Sequence, residues 1–292
     1  MVRIGPSVSL IHLVCDSTAD LDSAYAAAHE VTVVPLRVFF GDEEFRDQVE
    51  MSTAEFYQRM RAGGPHPRTS QPPPGDFAEV FSRLGALGGT IICTTISGDL
   101  SGTVGSALQA RSSLPDLDIR VVDTRSVGPG HANAVEAAVA VRDRGGGADD
   151  IVAALDRLVA TQRLVFTVET LEYLHRGGRI GGARALLGTV LDIKPILGVT
   201  AGKIEAVERV RTYPRALKRL VQELESMVPE WGPTKAAVAH AASPQHADAV
   251  AAQIAAVTGE LPTIVEVGAV LGCHAGPGAF GLAFHPKSVL DG

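Results

Sequence analysis

The segment TIICTTISGDLSGTVGSALQARSS, residues 90–113, contains one complete strand–loop–helix unit. Residues 90–96 are rich in isoleucine and threonine, a composition typical of a buried β-strand. Glycine and polar residues follow in 97–103 and predict a loop, and residues 101–112 predict a helix. Parallel sheets are built from such units, because a chain must cross over through a helix to reach the next parallel strand.

The same alternation extends through the first half of the chain. Apolar runs at 10–15, 31–40 and 119–123 predict three more strands, and residues 21–29, 52–62 and 75–87 predict helices between them. Strands that alternate with helices favour right-handed parallel crossovers. We therefore predict an N-terminal α/β domain with a parallel sheet.

The pattern changes after the flexible break Gly145-Gly146-Gly147. Ala201-Gly202 separates two apolar runs, 194–200 and 203–210, and this arrangement predicts a β-hairpin. Other strands are predicted at 163–168, 235–239 and 263–267, with helices at 214–227 and 244–258. A hairpin among helices indicates a mixed sheet. We predict a C-terminal mixed-sheet α/β domain over residues 161–292 and an N-terminal domain over 1–160.

Composition excludes several classes of protein. The net charge is −7, which gives no electrostatic footprint for nucleic acid. No apolar stretch approaches the roughly 20 residues that a membrane-spanning helix requires. Cys15, Cys93 and Cys273 are widely spaced and form no metal-binding motif, so reduced thiols in a cytoplasmic protein are expected. The sequence predicts no metal and no cofactor.

Hydroxyl and imidazole groups occur in three short segments that flank apolar runs, and we predict that all three are loops. The first precedes the helix at 75–87, the second follows the strand at 90–96, and the third, HAGPG, follows an apolar run that we interpret as another strand. Ligands of parallel α/β sheets gather at the carboxyl ends of the strands. Hydroxyls and imidazole can donate several hydrogen bonds to a carboxylate. We predict that six residues form a site for a small anionic group: Thr69, Ser70, Ser97, Ser101, Gly102 and His274.

Eight stretches of the chain, spread from residue 15 to residue 278, resemble motifs of the DegV family of bacterial fatty-acid-binding proteins, in the order of that family. Two positions depart from the family pattern: Gly98 stands where a serine is usual, and three consecutive prolines, residues 72–74, stand where a serine commonly interrupts. The matching stretches are CDSTADL (15–21), VPL (34–36), TSQP (69–72), LSGT (100–103), VDT (122–124), LEYLHRGGRI (171–180), IKPIL (193–197) and HAGPG (274–278).

The resemblance implies a specific function. It implies a long-chain fatty acid in a tunnel between the two domains, with its carboxylate at the six residues named above. It further implies that the chain is a carrier rather than an enzyme: it presents the carboxylate to a separate fatty-acid kinase and then carries the acyl phosphate. Transient contact with a membrane surface is compatible with that role.

A kinase partner requires a docking surface near the carboxylate. Arginines suit phosphoryl-transfer sites, and charges at the rim of an interface chiefly set the encounter rate. Four arginines are candidates for this contact, and the alternative for them is a solvated surface with local ion pairs: Arg176, Arg179, Arg209 and Arg211.

The sequence is also compatible with two other functions. Ser101 or Ser97 could act as a hydrolase nucleophile with His274 as its base. The nucleophile elbow requires glycine two residues before and after the serine, however, and Asp99 and Thr103 occupy those places around Ser101. The second alternative is a lipid store or sensor that has no kinase partner.

Overall fold

A computed structural model describes residues 10–187 and 193–291. The strands are, in chain order, β1 (Ile11–Asp16), β2 (Val31–Val34), β3 (Arg37–Phe40), β4 (Glu43–Arg46), β5 (Arg68–Ser70), β6 (Thr90–Thr95), β7 (Asp118–Asp123), β8 (Arg163–Thr167), β9 (Lys194–Thr200), β10 (Lys203–Val210), β11 (Thr234–His240), β12 (Thr263–Glu266) and β13 (Phe280–Pro286). The α-helices are α1 (Ser23–Ala28), α2 (Thr53–Ala62), α3 (Pro74–Gly85), α4 (Thr103–Ser112), α5 (Pro129–Asp143), α6 (Ala148–Thr161), α7 (Glu172–Arg176), α8 (Tyr213–Trp231), α9 (Pro244–Thr258) and α10 (Ala269–Ala275). Short 3₁₀ helices cover Ser17–Ala19, Gly181–Leu186 and Lys287–Leu290.

The prediction of two α/β domains is confirmed. The first half forms a parallel sheet of order β2-β1-β6-β7, and the second half forms a mixed sheet of order β10-β9-β8-β13-β11-β12. The predicted hairpin is β9–β10, which pairs antiparallel on either side of Ala201-Gly202. The mixed sheet begins with β8 at Arg163. The division at residues 160 and 161 stays a prediction.

The run at 31–40 is two strands rather than the single strand predicted. β2 belongs to the parallel sheet, whereas β3 forms a small antiparallel sheet with β4 and β5. Pro35 lies between them and has no N–H for a sheet hydrogen bond. The N–H of Leu36 donates to the Ser17 hydroxyl (3.1 Å) instead of to a neighbouring strand. The chain therefore leaves the first sheet at this point.

The apolar run before His274 is helix α10, and the prediction of a strand there was wrong. Short apolar runs cannot be assigned to strand or helix by their pattern alone. Close packing against α2 holds α10 in place: a Cβ on Gly272 would lie 2.7 Å from the Phe56 ring and from the Tyr57 hydroxyl. Tyr57 also donates to the carbonyl of Val267 (3.0 Å) just before the helix.

The small antiparallel sheet packs against the mixed sheet. Val38 of β3 and Phe56 of α2 belong to the same buried apolar cluster as Leu197 of β9, Ala239 of β11 and Val270 of α10. A second cluster fills the space between the parallel sheet and helices α5 and α6. This arrangement brings β5, the loops after β6 and β7, and α10 around one space between the two larger sheets.

Candidate functional site

A cavity of about 900 Å³, part of it open to solvent, lies between the parallel sheet and the mixed sheet. Its wall is mostly apolar and comes from many elements. The loops after β6 and β7 form one side, strands β8, β11 and β13 form another, and α10 closes a third. The apolar lining residues include Leu36, Ile96, Leu100, Val127, Leu164, Phe166, Leu174, Ile204, Ala239, Val267, Val270, Leu271 and Phe280.

Polar side chains enter this lining as a small group. They include four of the six residues that the sequence predicts, namely Thr69, Ser70, Ser101 and His274, together with Gln71 and Arg179. An apolar cavity with a few convergent polar groups is the usual form of a small-molecule site. The polar groups would orient a ligand, and the apolar wall would hold its hydrocarbon part.

Thr69 and His274 are in direct contact, although 205 residues separate them in the chain. The Thr69 hydroxyl and His274 Nε2 lie 2.7 Å apart. Thr69 lies on β5, paired with Val38 of β3, rather than on the loop that we expected. His274 lies in the last turn of α10. A strand and a helix therefore fix the two side chains, which is a more precise support than two loops would give.

His274 is neutral at physiological pH. Burial, the nearby positive charge of Arg179 and the imidazole of His66 lower the pKa of His274 to about 4. Its other ring nitrogen, Nδ1, is buried and faces Gly177, where an added Cβ would lie only 2.1 Å away. The imidazole is therefore held edge-on between Gly177 and Thr69 as a hydrogen-bonding group without charge.

The loop after β6 contributes Ser101 to the lining. The Ser101 hydroxyl lies 2.9 Å from the Thr103 hydroxyl and accepts from the N–H of Thr103, the first residue of α4, at 3.3 Å. Gly102 does not line the cavity. It provides space, because a Cβ at this position would lie 2.2 Å from the amide oxygen of Gln71. Gln71 was not predicted, although it stands directly after Thr69-Ser70 in the sequence.

Ser97 lies outside the cavity lining. It is fully buried, and its hydroxyl donates to the carbonyl of Gly202 (2.7 Å) at the tip of the β9–β10 hairpin. Arg125, on the loop after β7, donates to Ala201 in the same tip and to Asp99 (3.0 Å). Ser97 therefore joins the two domains beside the site instead of facing the cavity.

Of the four predicted partner-contact arginines, only Arg179 lines the cavity. Arg176 is exposed and forms an ion pair with Glu172 one helical turn earlier. Arg209 lies on β10, an edge strand of the mixed sheet, and Arg211 follows that strand; both are exposed. These three arginines lie on the protein surface. That position is compatible both with contact to a kinase and with a solvated surface that has local ion pairs.

The geometry does not form the serine–histidine pair that a hydrolase would need. The partner of the His274 imidazole is Thr69, while the Ser101 hydroxyl is engaged with Thr103 and the Ser97 hydroxyl with Gly202. A nucleophilic serine must lie within hydrogen-bond reach of its base. The arrangement instead offers hydrogen bonds to a bound polar group.

Within residues 10–187 and 193–291, no three His, Cys, Asp or Glu side chains are arranged to hold a metal ion. The same residues contain no helix that is long and apolar enough to cross a membrane.

Sequence and structure comparisons place the chain in a family. The DegV family profile, which is described as a family of uncharacterised proteins, matches residues 10–287. A DegV domain-containing protein from Deinococcus radiodurans is 39% identical over 279 residues, which is 95% of this chain and 99% of that protein. The chain belongs to the DegV family.

Solved structures of similar proteins share the whole architecture. A DegV family protein from Thermus thermophilus, described by its fatty-acid binding, superposes with a TM-score of 0.87 at 34% identity and covers 94% of this chain and 99% of that one. A fatty-acid-binding (stearic acid) protein from Eubacterium ventriosum superposes with a TM-score of 0.90 at 29% identity and covers 95% and 99%. The two-domain α/β plan is therefore the DegV fold.

Proposed function

We propose that this chain binds one long-chain fatty acid in the cavity between its two domains. The observation that carries the proposal is the cavity itself: its wall is apolar except for one polar group in which Thr69 meets His274. An acyl chain matches the apolar wall, and a carboxylate matches hydroxyl, amide and imidazole donors. Fatty-acid binding by the two similar proteins of known structure supports the same assignment.

The free energy of binding depends on both the apolar wall and the polar head-group contacts. Burying a methylene group is worth roughly 0.8 kcal/mol, so about 14 methylenes offer on the order of 11 kcal/mol. Association costs of about 4 to 15 kcal/mol offset much of that gain. Tight retention therefore needs a preformed cavity and hydrogen bonds for the head group. We propose Thr69, Ser70 and Ser101 as the hydroxyl donors to the carboxylate, with His274 completing the contact by donating from Nε2 to the Thr69 hydroxyl, which can then donate to the ligand. Ser97 and Gly102 act indirectly, because Ser97 fixes the loop after β6 and Gly102 leaves space for the Gln71 side chain.

Protein produced in bacteria is expected to copurify with close to one equivalent of fatty acid. A cavity with a largely apolar wall would retain an acyl chain through purification, because each buried methylene group favours the bound state. Organic extraction followed by mass spectrometry measures the amount and identifies the lipid. Protein that yields no fatty acid, and that also fails to bind added oleate or palmitate, would contradict the proposal.

We further propose that the chain is a cytoplasmic carrier that delivers the carboxylate to a separate fatty-acid kinase and then carries the acyl phosphate. Three buried free thiols support a reducing compartment. The exposed arginines Arg176, Arg209 and Arg211 are the candidate docking residues. A lipid store or sensor without a kinase is the competing function.

If Arg209 and Arg211 contact a kinase, Arg209→Ala and Arg211→Ala are expected to slow acyl-phosphate formation severalfold and to leave oleate affinity unchanged. Rim charges act mainly on the encounter rate. The matched control is Arg111→Ala, because Arg111 is also exposed but lies at the end of α4 that points away from the carboxyl edge of the parallel sheet. Equal rates of acyl-phosphate formation in all three variants and in wild type would show that Arg209 and Arg211 are solvated surface residues with no docking role.

A further inference from the structure

An anionic ligand in an apolar cavity needs a positive charge nearby, because an unpaired charge is costly to remove from water. Of the described residues that line the cavity, Arg179 is the one with a permanent positive charge. The other polar lining groups are hydroxyls, the Gln71 amide and the neutral His274. The hydrogen-bonding pair Thr69–His274 can orient a carboxylate but does not neutralise it.

Two backbone carbonyls hold the guanidinium of Arg179 in place. Its Nε donates to Leu100 (3.1 Å), on the loop after β6, and its Nη1 donates to Gly177 (2.7 Å). Those two bonds do not use Nη2, and guanidinium offers five N–H groups in a fixed planar fork. The half-buried side chain is therefore fixed at the cavity wall with donors left for a ligand.

Arg179 is also close to the proposed head-group site. Gly177, whose carbonyl accepts from Arg179, is the residue against which the His274 ring lies. The positive charge of Arg179 contributes to the lowered pKa of His274, after the larger effect of burial. Both observations place the guanidinium beside the imidazole.

We infer that Arg179 supplies the counter-charge for the ligand's carboxylate and so makes the cavity select fatty acids over neutral lipids with the same chain. This inference rests on the proposed function. The sequence made Arg179 a candidate for contact with the kinase, whereas this inference assigns Arg179 to the ligand site. Arg179 also ties the loop after β6 to the segment after α7, so an experiment must separate a charge effect from a structural one.

The test compares two probes that differ only in the head group, oleate and oleyl alcohol, by isothermal titration calorimetry on delipidated protein. Wild type is expected to prefer oleate. Arg179→Gln is expected to weaken oleate binding by about 10- to 150-fold, the range of a lost charge-assisted hydrogen bond, and to leave oleyl alcohol within about twofold. Arg179→Lys keeps the charge and is expected to restore most of the preference for oleate.

The matched control is Arg184→Gln, because Arg184 lies five residues further along the chain and is exposed outside the cavity lining. It should leave both affinities at the wild-type values. If Arg179→Gln weakens both probes equally, Arg179 has a structural role and the inference is overturned. Unchanged oleate binding in Arg179→Gln also overturns it. Wild type that binds neither probe would instead contradict the proposed function.

Discussion

Replacing Ala239 with phenylalanine is expected to lower the affinity for palmitate about a thousandfold. Ala239 lies on β11, and its side chain lines the apolar wall of the cavity. A phenyl group built into that space would displace roughly five methylene groups of a bound chain. At roughly 0.8 kcal/mol for each methylene, the loss is about 4 kcal/mol. The empty volume beside Ala239 keeps the strain of the larger side chain low.

A series of fatty acids from octanoate to palmitate, measured by calorimetry, gives a sharper result than a single ligand. In wild type the affinity should rise with each added methylene until the cavity is full. In Ala239→Phe the rise should stop several carbons earlier, while octanoate binds about as well as it does to wild type. Ala206→Phe is the matched control, because Ala206 is exposed on β10. Palmitate affinity that is the same in both variants as in wild type would show that the acyl chain lies elsewhere.

Gly177→Ala is expected to lower oleate affinity about tenfold or more without unfolding the protein. The backbone φ at Gly177 is −74°, so alanine fits the backbone. The added Cβ would lie 2.1 Å from His274 Nδ1, however, and the imidazole would have to move. That movement breaks the 2.7 Å contact with Thr69, and a lost hydrogen bond is worth about 1 to 3 kcal/mol when it leaves a buried partner unsatisfied.

A double-mutant cycle tests that mechanism. If Gly177→Ala acts by displacing the imidazole, its effect on oleate affinity should largely disappear in the background of His274→Ala. Gly105→Ala is the control, since Gly105 lies inside α4 with nothing within 4 Å of an added Cβ. That control should bind oleate normally and gain up to about 1 kcal/mol of stability, the usual helix preference for alanine over glycine. Additive effects of Gly177→Ala and His274→Ala would show that Gly177 acts by another route.

The local pattern of apolar and polar residues in the sequence was sufficient to predict most of the fold. The alternation of apolar runs and helix patterns predicted the parallel sheet of the first half, and Ala201-Gly202 predicted the β9–β10 hairpin. Helix α5 was missed because it is buried on nearly every side and rich in alanine, so it has no apolar stripe. Pro129 at its first turn, directly after Gly128, was the signal that could have located it.

For the candidate site, the sequence determined the residue types and the order of motifs, and thereby the family. Thr69, Ser101 and His274 could be singled out because hydroxyls and imidazole in short segments bounded by glycine and proline are unusual in a packed core. The identity of these residues was therefore readable without a structure, and the cavity lining includes all three.

Only the tertiary structure decided which of those groups share one space. Ser97 and Ser101 are four residues apart, yet the first bonds to the hairpin tip of the other domain and the second lines the cavity. Arg176 and Arg179 belong to the same sequence motif, yet Arg176 forms an ion pair on the surface and Arg179 lines the cavity. The physical reason is that side-chain direction follows from packing between elements distant in sequence, and here those elements come from both domains.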